Sequence, residues 1–432
     1  MINLRRKNKM KKVVVMFLLT GLMCIGGAID FSHAGEIDLL LQKLVDKGVL
    51  TPGEAQQVRT ETKEEMRKEI VQGKSETLPG WLQTMKLKGD FRFRVQNNHP
   101  KTAGQSENER LRARIRLRLG LEAKVNDQLL VAAGFATGTT DTSSADAARS
   151  TNQTLGDSFA KKAINLDYAY AQYTPVGWAV FTAGKMKLLP WEPADLIWDT
   201  DITPEGAAVQ LSKNINSKTT IFFTSMLGVI DELSSESSDP VMYVLQPGVQ
   251  YQLSDTVSLK GAFSYYDFAN IKGRALDGST GTNSHSSGSY LRYNYRPISP
   301  AIEIGIKEPF KAIGINVPYA SLFGEYVNNI AISSKNKSGY ALGFKVGAEK
   351  IQKWGDWDLK YIYAMLEKDA VPDILPDSDR YGGKTGIRSH EVMFNYGLSK
   401  NTFFGVDVYR SWALASAQAP ETIVQLDWNM KF

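Results

Sequence analysis

Between Arg110 and Val125 the chain alternates in a way that only an extended strand can use. Arg110, Arg112, Arg114, Arg116 and Arg118 occupy one parity, and Leu111, Ala113, Ile115, Leu117, Leu119 and Leu121 the other. A helix would scatter both sets around its circumference, whereas a strand sends successive side chains to opposite faces. The segment therefore reads as a long strand with one guanidinium face and one apolar face.

The same period of two runs from Lys86 to the carboxyl end. It predicts about sixteen strands, at 86–97, 110–125, 128–138, 163–174, 178–188, 206–214, 218–232, 241–253, 256–270, 288–306, 317–330, 339–352, 357–369, 389–399, 402–414 and 421–432. Tight connections such as Asn126-Asp127, Pro175-Val176-Gly177, Ser254-Asp255, Trp354-Gly355-Asp356 and Lys400-Asn401 alternate with long ones at 138–163, 188–205, 272–287 and 371–388. Short turns on one rim and long loops on the other predict an all-β chain folded as a transmembrane antiparallel up-and-down β-barrel. Closure also removes the unpaired edges that an open sheet of this length would expose. An even strand count puts both barrel ends on the periplasmic side and every long loop outside. The last strand sets Val424, Leu426, Trp428, Met430 and Phe432 against Gln425, Asp427, Asn429 and Lys431. Trp428, Met430 and the terminal Phe432 resemble the signal read by the outer-membrane barrel assembly machinery.

Ahead of the barrel, Arg5, Arg6, Lys7, Lys9, Lys11 and Lys12 precede an apolar run from Val13 to Ile29 and then Ser32-His33-Ala34. This predicts a secretory signal peptide over 1–34, cleaved after Ala34. Cys24 leaves with it, because Met23 is too bulky for a lipoprotein site, and a mature chain without cysteine has no disulfide framework. The signal carries six of the 51 Lys and Arg and one of the 46 Asp and Glu, which leaves 45 of each. With zero net charge, the basic isoelectric point is no argument for nucleic acid. Residues 35–77 read as a short periplasmic helical arm. Ile37, Leu40, Leu41, Leu44 and Val45 share a helical face that ends at Gly48, and Thr51-Pro52-Gly53-Glu54 starts a second helix. The thin stripe of Ala55, Val58, Met66 and Ile70 fits a solvated arm, with a weak oligomerising coil as the sharper alternative. The barrel then takes 78–432.

Magnitude decides which way the arginines point. One Arg facing lipid at mid-bilayer costs roughly 2–4 kcal/mol, so five on one strand must face the lumen. The first strand adds Lys88, Arg92 and Arg94 on the same face as Asp90, with Phe91, Phe93 and Val95 turned outward. Countercharge is expected from Asp167, Glu303, Glu325, Asp407 and Asp427 at polar positions, and from the third long loop, where Asp195, Asp199, Asp201 and Glu205 stand among Pro190, Trp191, Pro193 and Trp198. Proline keeps that loop out of the ladder and tryptophan gives it something to pack. Tyr168, Tyr170, Trp178, Tyr293, Tyr295, Trp357, Tyr361 and Trp428 are expected in interfacial girdles.

The chain from Lys88-Gly89-Asp90-Phe91-Arg92-Phe93-Arg94, through AGKMKLLPWEPADLIWDTDITPEGAAV (183–209) and LFGEYVNN (322–329), to Phe432 resembles the putative bacterial porin family, barrels in the style of the sixteen-stranded general porins. The resemblance implies an outer-membrane pore whose third long loop, 188–205, folds inward as a constriction facing the arginines, with a surface loop of solvated carboxylates as the alternative, and it specifies no solute.

The expected function is therefore a water-filled channel for passive diffusion of small hydrophilic solutes and ions, mildly anion-preferring through the arginine wall, with outer-membrane lipid around it. A homo-oligomer is compatible with it, and no cofactor, metal or nucleic acid is expected. A calcium site at Asp195, Asp199 and Asp201 lacks the loop glycine and bidentate Glu of an EF-hand. Two alternatives stand beside the channel: a barrel sheath around an electron-transfer or other partner protein, and an outer-membrane enzyme. The mature chain has only His99, His285 and His390, with no Gly-x-Ser-x-Gly elbow, so a Ser–His site has little to rest on.

Overall fold

A computed structural model of the chain describes residues 84–100, 109–187, 190–234, 237–415 and 420–432, together with 51, 53, 56 and 58. The expected signal peptide lies outside the described residues. So does the helical arm, apart from those four isolated positions, of which Gly53, Gln56 and Val58 are helical.

Sixteen antiparallel strands build the barrel wall: β1 (Lys86–Pro100), β2 (Arg110–Lys124), β3 (Leu129–Thr137), β4 (Ile164–Val176), β5 (Ala179–Lys185), β6 (Glu205–Asn214), β7 (Thr219–Val229), β8 (Val241–Gln252), β9 (Val257–Ala269), β10 (Pro297–Lys307), β11 (Tyr319–Asn329), β12 (Ser338–Gly347), β13 (Trp357–Leu366), β14 (Ile387–Ser399), β15 (Thr402–Ala413) and β16 (Glu421–Lys431), and the two-residue segment Gln153–Thr154 adds to the same sheet beside β2. Each pairs with its neighbour in sequence, and β16 returns to β1 in a register running from Asp90↔Lys431 to Pro100↔Glu421. That last ladder closes the barrel. Phe432 locks it: Gly89 and Phe432 exchange backbone hydrogen bonds of 2.8 and 3.0 Å. The terminal ring lies so close over Gly89 that a Cβ there would sit 2.5 Å from it. No helix among the described residues is long and apolar enough to cross a membrane.

Alternation sets the two faces. Leu111, Leu166, Leu322 and Leu342 are more than half exposed on the outer wall, while Arg114 of β2 is buried inside. Two expectations need correction. The tenth strand starts at Pro297 rather than at 288, because 285–296 belong to a long loop with its own small hairpin, in which Tyr295 bridges to Phe268. The second correction comes from the β3–β4 ladder, where Gly134 faces Tyr168 but Phe135 faces Leu166, so Asp167 is an extra residue. One inserted residue reverses the faces of everything after it. Tyr168 and Tyr170 therefore turn inward, away from any girdle. The Tyr168 ring lies across the paired glycines Gly120 and Gly134, where a Cβ on either would come within about 2 Å of the tyrosine. Tyr295 is likewise buried and Tyr293 packs on the interior cluster. Trp178, Trp357 and Trp428 remain exposed on the outer wall.

The loops of one rim do most to shape the interior. The connections that follow β3, β5, β9 and β13 are called L2 (138–163), L3 (186–204), L5 (270–296) and L7 (367–386). L3 contributes Met186, Leu196, Ile197 and Trp198, and L7 contributes Ala370, Val371 and Leu375, to a buried cluster with Val244, Tyr266, Phe268, Val327 and Ile362 of the inner wall. These loops thus pack against one side of the barrel and leave the polar face of β14–β16, β1 and β2 opposite them. L2 is tied in by Arg149, which is 1% exposed. Its Nη1 donates to the carbonyls of Asp373, Pro376 and Gly383, each at 3.1 Å, its Nε to Ala145 at 2.9 Å and its Nη2 to Gly278 at 3.4 Å. L5 docks on two L7 carboxylates. Asp373 accepts from the Thr282 amide at 2.7 Å and from Ser279 Oγ at 2.8 Å, and Asp369 accepts from the Ser284 amide and Oγ, both at 2.8 Å, and from Tyr295 Oη at 3.1 Å.

Candidate constriction site

Register builds the basic panel. Pairing of β1 with β2 sets Asp90 opposite Arg118, Arg92 opposite Arg116 and Arg94 opposite Arg114, and pairing of β1 with β16 sets Arg94 opposite Asp427. Even positions of β1 and β2 and odd positions of β16 share the lumen face. Arg94 makes a bidentate contact with Asp427, Nε–Oδ1 2.7 Å and Nη2–Oδ2 2.8 Å, and reaches Asp379 of L7 at 3.0 Å. Arg116 and Arg118 share Asp90 at 2.9 and 2.7 Å, and Arg118 also meets Asp201 at 3.3 Å. The rest of the panel is less compensated. Arg92 holds Asn152 at 2.6 Å and lies 3.6 Å from the Asp427 already bound by Arg94. Arg114 reaches the neutral acceptors Gln96 and Ser150, and Arg112 reaches Asn98. Lys88 pairs with Glu122 at 2.7 Å near the opposite rim, and Arg110 is exposed at the long-loop rim.

L3 faces this panel. Trp198 is buried against Tyr266 with ring centroids 6.3 Å apart, and Gln246 of β8 clamps the Trp191 backbone from both sides, accepting from its N–H at 2.8 Å and donating to its carbonyl at 2.9 Å. Lys260 sits 4.4 Å from the centre of the Trp191 ring. The three aspartates go to separate partners. Asp195 accepts from Arg380 of L7 at 2.7 Å; Asp199 accepts from the Ser378 and Asp201 amides at 2.8 and 2.9 Å; Asp201 accepts from Thr151 and Arg118.

Between panel and loops lies a cavity of about 500 Å³. Of the residues singled out in the sequence, Arg92, Arg94, Arg116, Pro190, Trp191, Pro193, Asp195, Trp198, Asp199, Asp201 and Asp407 line it. Lys88, Arg110, Arg112, Arg114 and Arg118 stand elsewhere on the same face. Glu205 lies apart, exposed at the start of β6 and paired with Lys185 at 2.9 Å. Glu325 is buried behind the loops with Ser299 at 2.8 Å. Sequence reasoning missed the L7 half of the site, Asp377, Asp379 and Arg380, and the wall residues Lys360, Glu391 and Tyr409. Its prolines and aspartates, Pro372, Asp373, Pro376 and Asp377, are of the kind that marked L3 as special.

Asp195, Asp377 and Glu391 present carboxylate oxygens within 4.8 Å of one another, but Arg380 fills that space, with Nη2 2.7 Å from both Asp195 and Glu391. A guanidinium thus does the charge balancing that a cation would do there. The loop carboxylates fall into two groups. Burial pushes Glu192 and Asp377 well above the ordinary carboxylate range and Asp199 up to about 8, with Asp201 adding repulsion at Asp199. Burial opposes ionisation of Asp195 and Asp379 too, but Arg380 and Arg94 respectively outweigh it and hold both below the ordinary range. At neutral pH the loop side therefore carries less negative charge than its residue types suggest.

A family model described as Putative porin matches residues 96–296 and 316–432. No curated protein matches the chain. Among solved structures, the high-pH structure of Pseudomonas putida OprB is 10% identical, with a TM-score of 0.53, and the likeness covers 81% of this chain and 94% of that one. A triple mutant of the Rhodopseudomonas blastica porin is 11% identical, with a TM-score of 0.43, covering 81% of this chain and all of that one.

Proposed function

Because the chain belongs to the putative porin family, we propose that it forms a water-filled outer-membrane channel for passive diffusion of small hydrophilic solutes and ions, with a mild preference for anions at neutral pH. The observation that carries this reading is the arginine panel facing inward-folded loops across the cavity of about 500 Å³. The sign follows from the pairing. Arg94, Arg116 and Arg118 are matched by carboxylates, whereas Arg112 and Arg114 meet neutral acceptors and Arg92 shares a carboxylate. Asp199, raised to about 8, adds little negative charge at neutral pH, and burial shifts Glu192 and Asp377 in the same direction. Fixed positive charge in a narrow passage raises the local anion concentration. The sheath reading is set aside because L3 and L7 take up lumen that a partner polypeptide would need. The long-loop rim faces outside and residues 1–34 are removed on export, leaving 35–77 as a periplasmic arm.

Replacing Arg114, Arg116 and Arg118 by Gln tests the sign. The zero-current potential of single channels in a salt gradient is expected to move toward cation preference, most at low ionic strength where screening is weakest. A wild-type channel that already prefers cations, or a triple variant with an unchanged potential, sinks the anion preference.

The loop carboxylates add a pH dependence. Asp199, raised to about 8, stays protonated at neutral pH and adds negative charge beside Asp201 as the pH climbs past that value. Anion preference should therefore decline between about pH 6 and about pH 9.5, and Asp199→Asn should flatten part of that decline while matching the wild type at the acid end. The linkage has the same direction. A carboxyl whose folded pKa is raised contributes its full stabilisation below the ordinary carboxylate range and has lost it once the pH passes the raised value. Docking of L3 on L7 at Asp199 should accordingly weaken in base, the cost of burying the charge outweighing the Ser378 amide, which favours the charged form.

A further inference from the structure

The outer wall carries one cationic cluster that the channel reading does not use. On β14, Ser389 and Glu391 are buried in the barrel, so Arg388 and His390, of the opposite parity, face outward; on β15, Tyr409 and Ser411 are buried inside, so Arg410 and Trp412 face outward. Register makes these four a single quadrant, with Arg388 opposite Trp412 and His390 opposite Arg410. Both guanidinium carbons lie over the same indole, at 5.6 Å for Arg388 and 5.5 Å for Arg410. The His390 ring stands edge-on to Trp412 with centroids 5.7 Å apart, lies 4.9 Å from the Tyr363 ring, and bonds through Nδ1 to Tyr361 Oη at 2.7 Å. Arg410 is steadied by a hydrogen bond to Thr422 Oγ1. Among the described residues no carboxylate lies within ion-pair distance of either arginine.

Height on the wall matters as much as charge. Arg388 is the second residue of β14 after L7, at the long-loop rim, and below it Val392 and Phe394 continue the exposed apolar band. A guanidinium facing lipid costs roughly 2–4 kcal/mol at the midplane but only about 0–1 near the interface, where a headgroup can reach it. Two guanidiniums held over one indole are oriented in advance and lose little freedom on meeting an oxyanion, and planar donors suit phosphate.

We propose that Arg388, Arg410 and Trp412 form a binding site for the phosphate of an anionic lipid headgroup in the membrane leaflet around the long-loop rim. The test uses the full barrel in detergent, folded by heat-modifiable mobility, titrated with phosphatidylglycerol or lipid A and with phosphatidylcholine, and read by native mass spectrometry. Wild type should retain the two anionic lipids over phosphatidylcholine. The Arg388→Gln/Arg410→Gln variant should lose about tenfold in that retention, in line with about 1.4 kcal/mol of charge-assisted contact. Trp412→Leu, which keeps both charges, should fall between. Equal retention by wild type and double variant overturns the site, as does wild-type retention of phosphatidylcholine equal to that of the anionic lipids. Millimolar inorganic phosphate that strips the lipid completely would make this a free-anion site and overturn the lipid assignment.

Discussion

Shortening L3, by replacing 191–201 with a Gly-Ser linker, is expected to raise single-channel conductance severalfold while the barrel still folds. The reason lies in where the resistance sits. Asp195, Trp198, Asp199 and Asp201 form one wall of the cavity whose other wall is Arg92, Arg94 and Arg116, and the narrowest section of a pore dominates its resistance. The loop is held by contacts that the strands do not need. Its apolar residues pack on the inner wall, and Asp199 and Asp195 hold L7 through Ser378 and Arg380. Losing them costs packing inside the lumen but breaks no ladder between neighbouring strands. Arg118 loses Asp201 yet keeps Asp90. Selectivity should also move toward anions, since the linker removes carboxylates and leaves the panel. Planar-bilayer recordings decide it: unchanged conductance from a heat-modifiable, trypsin-resistant variant would show that L3 does not set the resistance.

Deleting Phe432 is expected to abolish most outer-membrane assembly. Two separate losses coincide there. The Gly89–Phe432 backbone exchange is the final rung of the β1–β16 seam, and without it the ladder that closes the barrel is frayed at its turn-side end. The terminal ring also covers Gly89, the residue of β1 that leaves room for it. Phe432→Ala keeps the backbone rung and removes the ring, so it should assemble better than the deletion, and Phe432→Tyr better still. Heat-modifiable mobility of the outer-membrane fraction reads this series. Full assembly of the deletion variant would remove any role for the terminal residue in closure.

The strands were legible because half of each faces lipid and half faces the lumen, a contrast that survives in single residues such as Leu117 beside Arg118. L3 was legible as an exceptional loop through Trp191 and Trp198, whose size demands a packing partner. What the sequence hid depends on pairing. The bulge at Asp167 reads as ordinary alternation until β3 is set beside β4, and only then do Tyr168 and Tyr170 change faces. The carboxylates that answer the panel are likewise fixed by register and loop docking. Asp427 reads from the sequence as a countercharge, but that it meets Arg94 follows only from β16 closing on β1, since the two lie 333 residues apart. L7 gave a weaker sign than L3, since Val371, Ile374 and Leu375 are small beside tryptophan and spread among solvated-looking aspartates.

Arg149 bears on the order in which the molecule can form. Its guanidinium is satisfied by carbonyls as far away as Gly383, 234 residues along the chain, and a charge buried without such partners would be strongly unfavourable. A nascent sheet holding only β1 to β9 can supply none of the L7 carbonyls. The Arg149 segment of L2 must therefore stay hydrated until β13 and β14 have arrived, although 151–155 can already pair with β2 and β3. Contacts of the sequence separation that Arg149 makes form late. The long-loop mouth thus matures only when the wall is nearly complete, so its resistance to protease should appear after that of the strands and report on whether closure has occurred.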